Sequence, residues 1–121
     1  MANELHISAS FSYTKSSTSL SLSTGGLQVT VSGTAALQNR QSVGTSEEAL
    51  LMGDVTSPGY IILINRDATN YVEVRPATGA ADLVRLNAGE VALFRLAADA
   101  TAPYVIANTA AVEVEYILLS D

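Results

Sequence analysis

Short apolar runs separated by turn clusters most constrain what this 121-residue chain can fold into. They fall at residues 60–64, 71–75, 83–96, 104–108 and 112–119. Runs this short, bounded by Gly, Pro, Asn and Asp, signal strands rather than helices. Residues 60–64 (Tyr-Ile-Ile-Leu-Ile) are apolar on both faces, which suits a central strand between packed layers. In residues 112–119 Val112, Val114, Tyr116 and Leu118 alternate with Glu113 and Glu115, so the first set points inward and the glutamates outward.

The N-terminal third shows the same period of two. Over residues 3–14, Leu5, Ile7, Ala9, Phe11 and Tyr13 share one face and Glu4, His6, Ser8, Ser10 and Ser12 the other, the pattern of a half-buried strand. Residues 15–19 form a Ser/Thr-rich connector. Leu20 and Leu22, then Leu27, Val29 and Val31, flank Gly25-Gly26, which predicts a hairpin turning at the paired glycines. Residues 35–43 set Gln38, Arg40 and Ser42 against Leu37, Asn39 and Gln41, another strand. In residues 45–53 Thr45 and Glu48 fit a capping box and Gly53 a helix stop, yet the short length favours a strand. Ser57-Pro58-Gly59 marks a turn. A tip at Ala68-Thr69 would set Arg66 opposite Tyr71 and Ile64 opposite Glu73. Residues 76–82 read as a loop.

The expected fold is therefore all-β: a two-sheet antiparallel β-sandwich of eight to ten strands, with jelly roll the preferred topology. Residues 1–121 are expected to form one domain, with 1–14 a strand or arm that contacts a neighbouring subunit. Hydrophobic residues make up 48% and charged residues 15% of the chain, enough to build a core. A net charge of −6 argues against nucleic acid and anionic membrane as partners. Cysteine is absent, which rules out disulfides and thiolate metal ligands. No basic segment precedes an apolar core at the N-terminus, so no signal peptide is expected. Low charge and open sheet edges favour an assembly, a homo-oligomer.

No residue constellation carries catalytic, cofactor-binding or metal chemistry. His6, the single histidine, lies on the polar face of its strand, and no Gly-x-Ser-x-Gly elbow accompanies it. Glu47 and Glu48 are adjacent and would point apart in an extended chain. Asp54, Asp67, Asn70 and Asp82 could offer oxygen to calcium, but without a recognised ligand spacing their turn-forming role comes first. Arg66, Arg75, Arg85 and Arg95 recur every nine or ten residues. They either pair with carboxylates such as Glu73 or Glu90 at strand rims or, like many arginines, serve an interface. Together with Leu5, Ile7, Phe11 and Tyr13 they are the interface candidates. The remaining aromatics, Tyr60, Tyr71, Phe94, Tyr104 and Tyr116, read with Phe11 and Tyr13 as core or barrel-end residues. Gly25-Gly26 lacks the following Lys-Ser/Thr of a phosphate cradle.

Four stretches together carry a resemblance. They are Gly53-Asp54-Val55 through Pro58-Gly59-Tyr60, and Asn65-x-Asp67-x-Thr69-Asn70-Tyr71-Val72-Glu73-Val74. They continue with Leu86-x-Ala88-Gly89-Glu90-x-Ala92-Leu93-Phe94-Arg95-Leu96 and with Ala107-Asn108-Thr109-Ala110-Ala111-Val112-x-Val114-Glu115-Tyr116. This pattern of turns and strands resembles small virion structural proteins of tailed bacteriophages. The resemblance implies a capsid decoration or cement protein, located in the virion after assembly in the host cytoplasm. It would be trimeric and would bridge major capsid protein subunits. A tail protein partner, with the chain acting as a tail or fibre adhesion module, is the alternative. A metal-dependent hydrolase on a cupin-like sandwich is disfavoured, because one histidine is too few for such a centre.

Overall fold

Alternation yields strands throughout. The computed structural model describes residues 3–97 and 100–121, and these hold twelve strands and no helix. The chain divides into two compact units, Met1–Ser32 and Gly33–Asp121, where the sequence reading had one domain of eight to ten strands. Four strands lie in the first unit and eight in the second.

The first unit is an antiparallel arm of two two-stranded sheets in series. Strands β2 (Ser10–Lys15) and β3 (Thr18–Ser23) pair from Ser10↔Ser23 to Lys15↔Thr18, and β1 (Leu5–Ile7) pairs with β4 (Leu27–Val29). The tip is therefore Ser16-Ser17, not Gly25-Gly26, and the expected connector at 15–19 holds this turn together with paired strand ends. Ser16 adopts φ 55°, the left-handed geometry that a tight two-residue turn demands. The glycines do different work. Apolar parity switches from Leu20 and Leu22 to Leu27 and Val29, so the second strand needs one extra residue. Gly25, at φ +66°, sits in that bulge, and Leu27 and Val29 come back opposite Ile7 and Leu5. Thr24 clamps the irregularity: its N–H donates to the Ala9 carbonyl (2.9 Å), and the Ala9 N–H donates to its Oγ1 (3.0 Å). The single strand expected over 3–14 is accordingly interrupted at Ser8-Ala9.

The second unit is a β-sandwich. One sheet orders β10 (Val91–Arg95), β7 (Pro58–Asn65), β12 (Val112–Ser120) and β5 (Ala36–Val43). The other orders β6 (Glu48–Ala49), β11 (Tyr104–Ala107), β8 (Val72–Arg75) and β9 (Val84–Leu86), and all pairings are antiparallel. The strands pair as a nested series, β5 with β12, β6 with β11, β7 with β10 and β8 with β9. Residues 45–53 resolve to the short strand β6 plus a turn in which Gly53 has φ +57°.

Between the sheets Ile61, Leu63, Val112, Val114, Tyr116 and Leu118 meet Val72, Val74, Leu86, Val105 and Ala107, all buried. Each fully buried aliphatic side chain of this kind stabilises by about 1.5–3 kcal/mol relative to exposure. β7 is central in its sheet, but only its Ile61/Leu63 face is buried between the sheets; Ile62 and Ile64 lie on the outer face, where the sequence reading expected a second packed layer. The expected hairpin at Ala68-Thr69 does not form. Ile64 lies opposite Val91 and Glu115, not Glu73, because β7 and β8 belong to different sheets.

Asn65 ties this crossover together. Its side chain is fully buried, its Nδ2 donates to the Leu86 and Asn70 carbonyls (2.9 Å each), and its Oδ1 accepts the Asp67 N–H (2.8 Å). The Asp67 carboxylate then accepts the Asn70 and Thr69 N–H groups, which hold its pKa below the usual carboxylate range. From the end of β7 this one side chain satisfies groups on the crossing loop and on β9 of the opposite sheet.

Candidate functional site

Every large side chain along the arm is set by the period of its strands, and the register gathers four of them on one face. Phe11 lies opposite Leu22 and Tyr13 opposite Leu20, so these pairs form two adjacent apolar rows. They are 72%, 77%, 42% and 61% exposed, respectively. The reverse face presents Ser10, Ser12, Thr14, Ser19, Ser21 and Ser23. Of the two readings the sequence offered for Phe11 and Tyr13, core and interface candidate, their exposure removes the core one. Of the other arm candidates, Ile7 is buried and Leu5 half-buried.

A second apolar surface covers the outer face of the β10–β7–β12–β5 sheet. Leu93, Ile62 and Ile117 stand side by side across three strands, with Val91 and Ile64 in the adjoining row. Val91, Leu93 and Ile117 are exposed. The next position of that row is charged: the Glu115 carboxylate accepts from Arg66 Nε (2.8 Å) and Arg40 Nη2 (3.2 Å). Those two guanidiniums, Arg66 foremost, lower the Glu115 pKa.

The four arginine candidates do not converge. Arg66 pairs with Glu115; Arg85 pairs with Glu73 (3.1 Å) and stacks over Tyr71 at 3.9 Å. Arg95 pairs with Asp121 and lies over Tyr60. Arg75 is the least exposed and bridges Glu47 (2.8 Å) and Asp82 (2.6 Å), which raise its pKa, Glu47 most. Glu47 also accepts the Thr78 hydroxyl and the Gly79 N–H, and these, with Arg75, bring its pKa down to about 2. This cluster stitches the approach to β6 onto the loop between β8 and β9. Among the described residues Glu90 pairs with no arginine; its carboxylate accepts the Asn87 N–H (2.8 Å).

The polar groups that sequence reasoning passed over are buried ties. Tyr116 donates its hydroxyl to the Leu51 carbonyl and accepts from Asn39 Nδ2 (3.2 Å), and burial raises its pKa. Gln41 accepts the Leu51 N–H (3.0 Å) and donates to Glu48 (3.0 Å) and to the Ala49 carbonyl. The signal was present: Asn39 and Gln41 share the inward parity of Leu37 and Val43, where a polar side chain needs a partner. A cavity of about 260 Å³ opens among Val74, Leu83, Val84, Phe94, Leu96 and Pro103. Its lining is apolar apart from Arg75 and Thr101, and the Arg75 guanidinium is already engaged by two carboxylates. Among the described residues no three His, Asp or Glu side chains gather as a metal-binding group. No family model, curated protein or solved structure matches the chain.

Proposed function

We propose that this protein is a non-enzymatic structural component of a tailed-phage virion: a capsid decoration protein that binds the outer surface of the assembled head. The observation that carries the reading is the outer face of the β10–β7–β12–β5 sheet. There Val91, Leu93 and Ile117 are exposed beside a charged row at Glu115, an apolar centre with a polar margin of the kind protein partners cover. The nested pairing of eight strands in two four-stranded sheets supports a jelly roll, an architecture common in virus shells. A protein that binds only the assembled shell stabilises it by mass action. The sandwich face meets the major capsid protein, and the arm makes a separate protein contact.

Electron cryomicroscopy of particles carrying the protein tests this reading, with Leu93→Asp as the binding variant. Density repeated over the head surface and lost in Leu93→Asp is the expected result. Density confined to the tail would transfer the protein to the adhesion role, and undiminished binding by Leu93→Asp would remove the sheet face from the contact.

A further inference from the structure

The arm cannot be explained as a free-standing element. A two-stranded ribbon in water is marginal at best, because it has no second layer to cover its apolar face. Here that face carries Phe11, Tyr13, Leu20 and Leu22, all exposed. From these observations we infer that the arm is a self-association element: its Phe11/Tyr13/Leu20/Leu22 face packs against the same face of the arm of a second copy of this chain. The inference goes beyond the decoration reading and does not depend on a capsid.

Charge favours a second copy. In residues 1–32 Glu4 and Lys15 are the only formal charges and cancel, so the whole net charge of −6 falls on residues 33–121. The arm is the one unit that copies can bring together without like-charge repulsion. No charged ring surrounds the patch to select a different partner; its neighbours on the strands are serines and threonines, with Lys15 and Thr18 at the tip.

Shape favours it as well. One strand supplies both aromatics and the other both leucines. A two-fold rotation about an axis parallel to the strands lays Phe11 and Tyr13 of one arm over the Leu22 and Leu20 strand of the other. An isologous contact then puts a ring against a leucine at every row and Lys15 against Thr18 at the tip. Facing ribbons would lie about 10 Å apart, as stacked sheets do. The serine faces stay in water on both outer sides.

Sedimentation velocity of the purified full chain over a dilution series reads the association directly. The wild type should self-associate, and Phe11→Ser/Leu22→Ser should weaken it on the order of a hundredfold, since large apolar interface anchors commonly carry tenfold or more each. Ser12→Thr/Ser21→Thr, on the opposite face, should associate like the wild type. The chain has no cysteine, so single cysteines give a second readout that needs no loss of folding. Tyr13→Cys, about 11 Å from its copy across the two ribbons, should be joined to it by a short bis-maleimide cross-linker and Ser12→Cys should not. A wild type that stays monomeric at every concentration overturns the inference, as does association unaffected by Phe11→Ser/Leu22→Ser. Equal cross-linking from positions 12 and 13 overturns it too. None of these results depends on whether the protein binds a phage head.

Discussion

The arm and the sandwich are written in the same alternating code, yet they end in opposite states. In β12 alternation places Val112, Val114, Tyr116 and Leu118 at 0–1% exposure beneath an opposing sheet. In β2 and β3 equally regular alternation leaves Phe11 and Leu22 among the most exposed hydrophobic side chains of the chain. Period two therefore decides which side chains share a face. What covers that face depends on a second layer, which residues 33–121 supply for themselves and the two-stranded arm cannot.

If that contrast is right, truncating the same residue type in the two units should give different outcomes. Leu63→Ala in the sandwich should destabilise it by about 2–5 kcal/mol in denaturant unfolding, whereas Leu20→Ala should leave sandwich unfolding within about 0.5 kcal/mol. Similar losses for both would mean that the arm is part of one cooperative core. Next in size is Asn65→Leu, which removes the donors to two carbonyls and the acceptor for the Asp67 N–H. It should cost about 2–4 kcal/mol by the same measurement.

The difference between the units also shows what could be read beforehand. β7 and β12 were legible because their apolar runs or inward sets are long and unbroken. The arm's turn was misplaced because Gly25-Gly26 is the stronger local turn signal, while register puts the tip at Ser16-Ser17 and uses the glycine for a bulge. The expected Ile64–Glu73 pairing failed for a similar reason. A turn-rich loop looks the same whether it closes a hairpin or crosses between sheets; the packing of the two sheets decides, and the buried Asn65 side chain holds the crossing. The arginines could be seen as a periodic set, but which carboxylate each one meets depends on the packed loops.

Smaller effects sharpen the account of the sandwich. A Cβ at Gly33 would lie 2.0 Å from Ser120 Oγ and 2.7 Å from its Cβ, so Gly33→Ala should cost about 1–3 kcal/mol by thermal unfolding. Tyr116→Phe should cost about 1–2 kcal/mol, since it strips the donor from the Leu51 carbonyl and the acceptor from the half-buried Asn39. The Glu47 cluster should give the smallest signal, visible as pH dependence. Its folded pKa of about 2 lies below the ordinary 4.5, so its contribution is complete above pH 4.5 and fades as pH falls toward 2. Glu47→Gln should flatten the stability curve across that window and leave the rest of the profile in place; an unchanged curve would show that the cluster adds nothing.

Hydrogen exchange of the full chain, followed residue by residue over a dilution series, tests the contrast between the two units most directly. Backbone amides of β7 and β12 should stay protected at every concentration. Those of β2 and β3 should exchange quickly when dilute and slow as copies associate. Arm amides as protected as β12 in the most dilute sample would contradict the account, because the ribbon would then be stable without a partner.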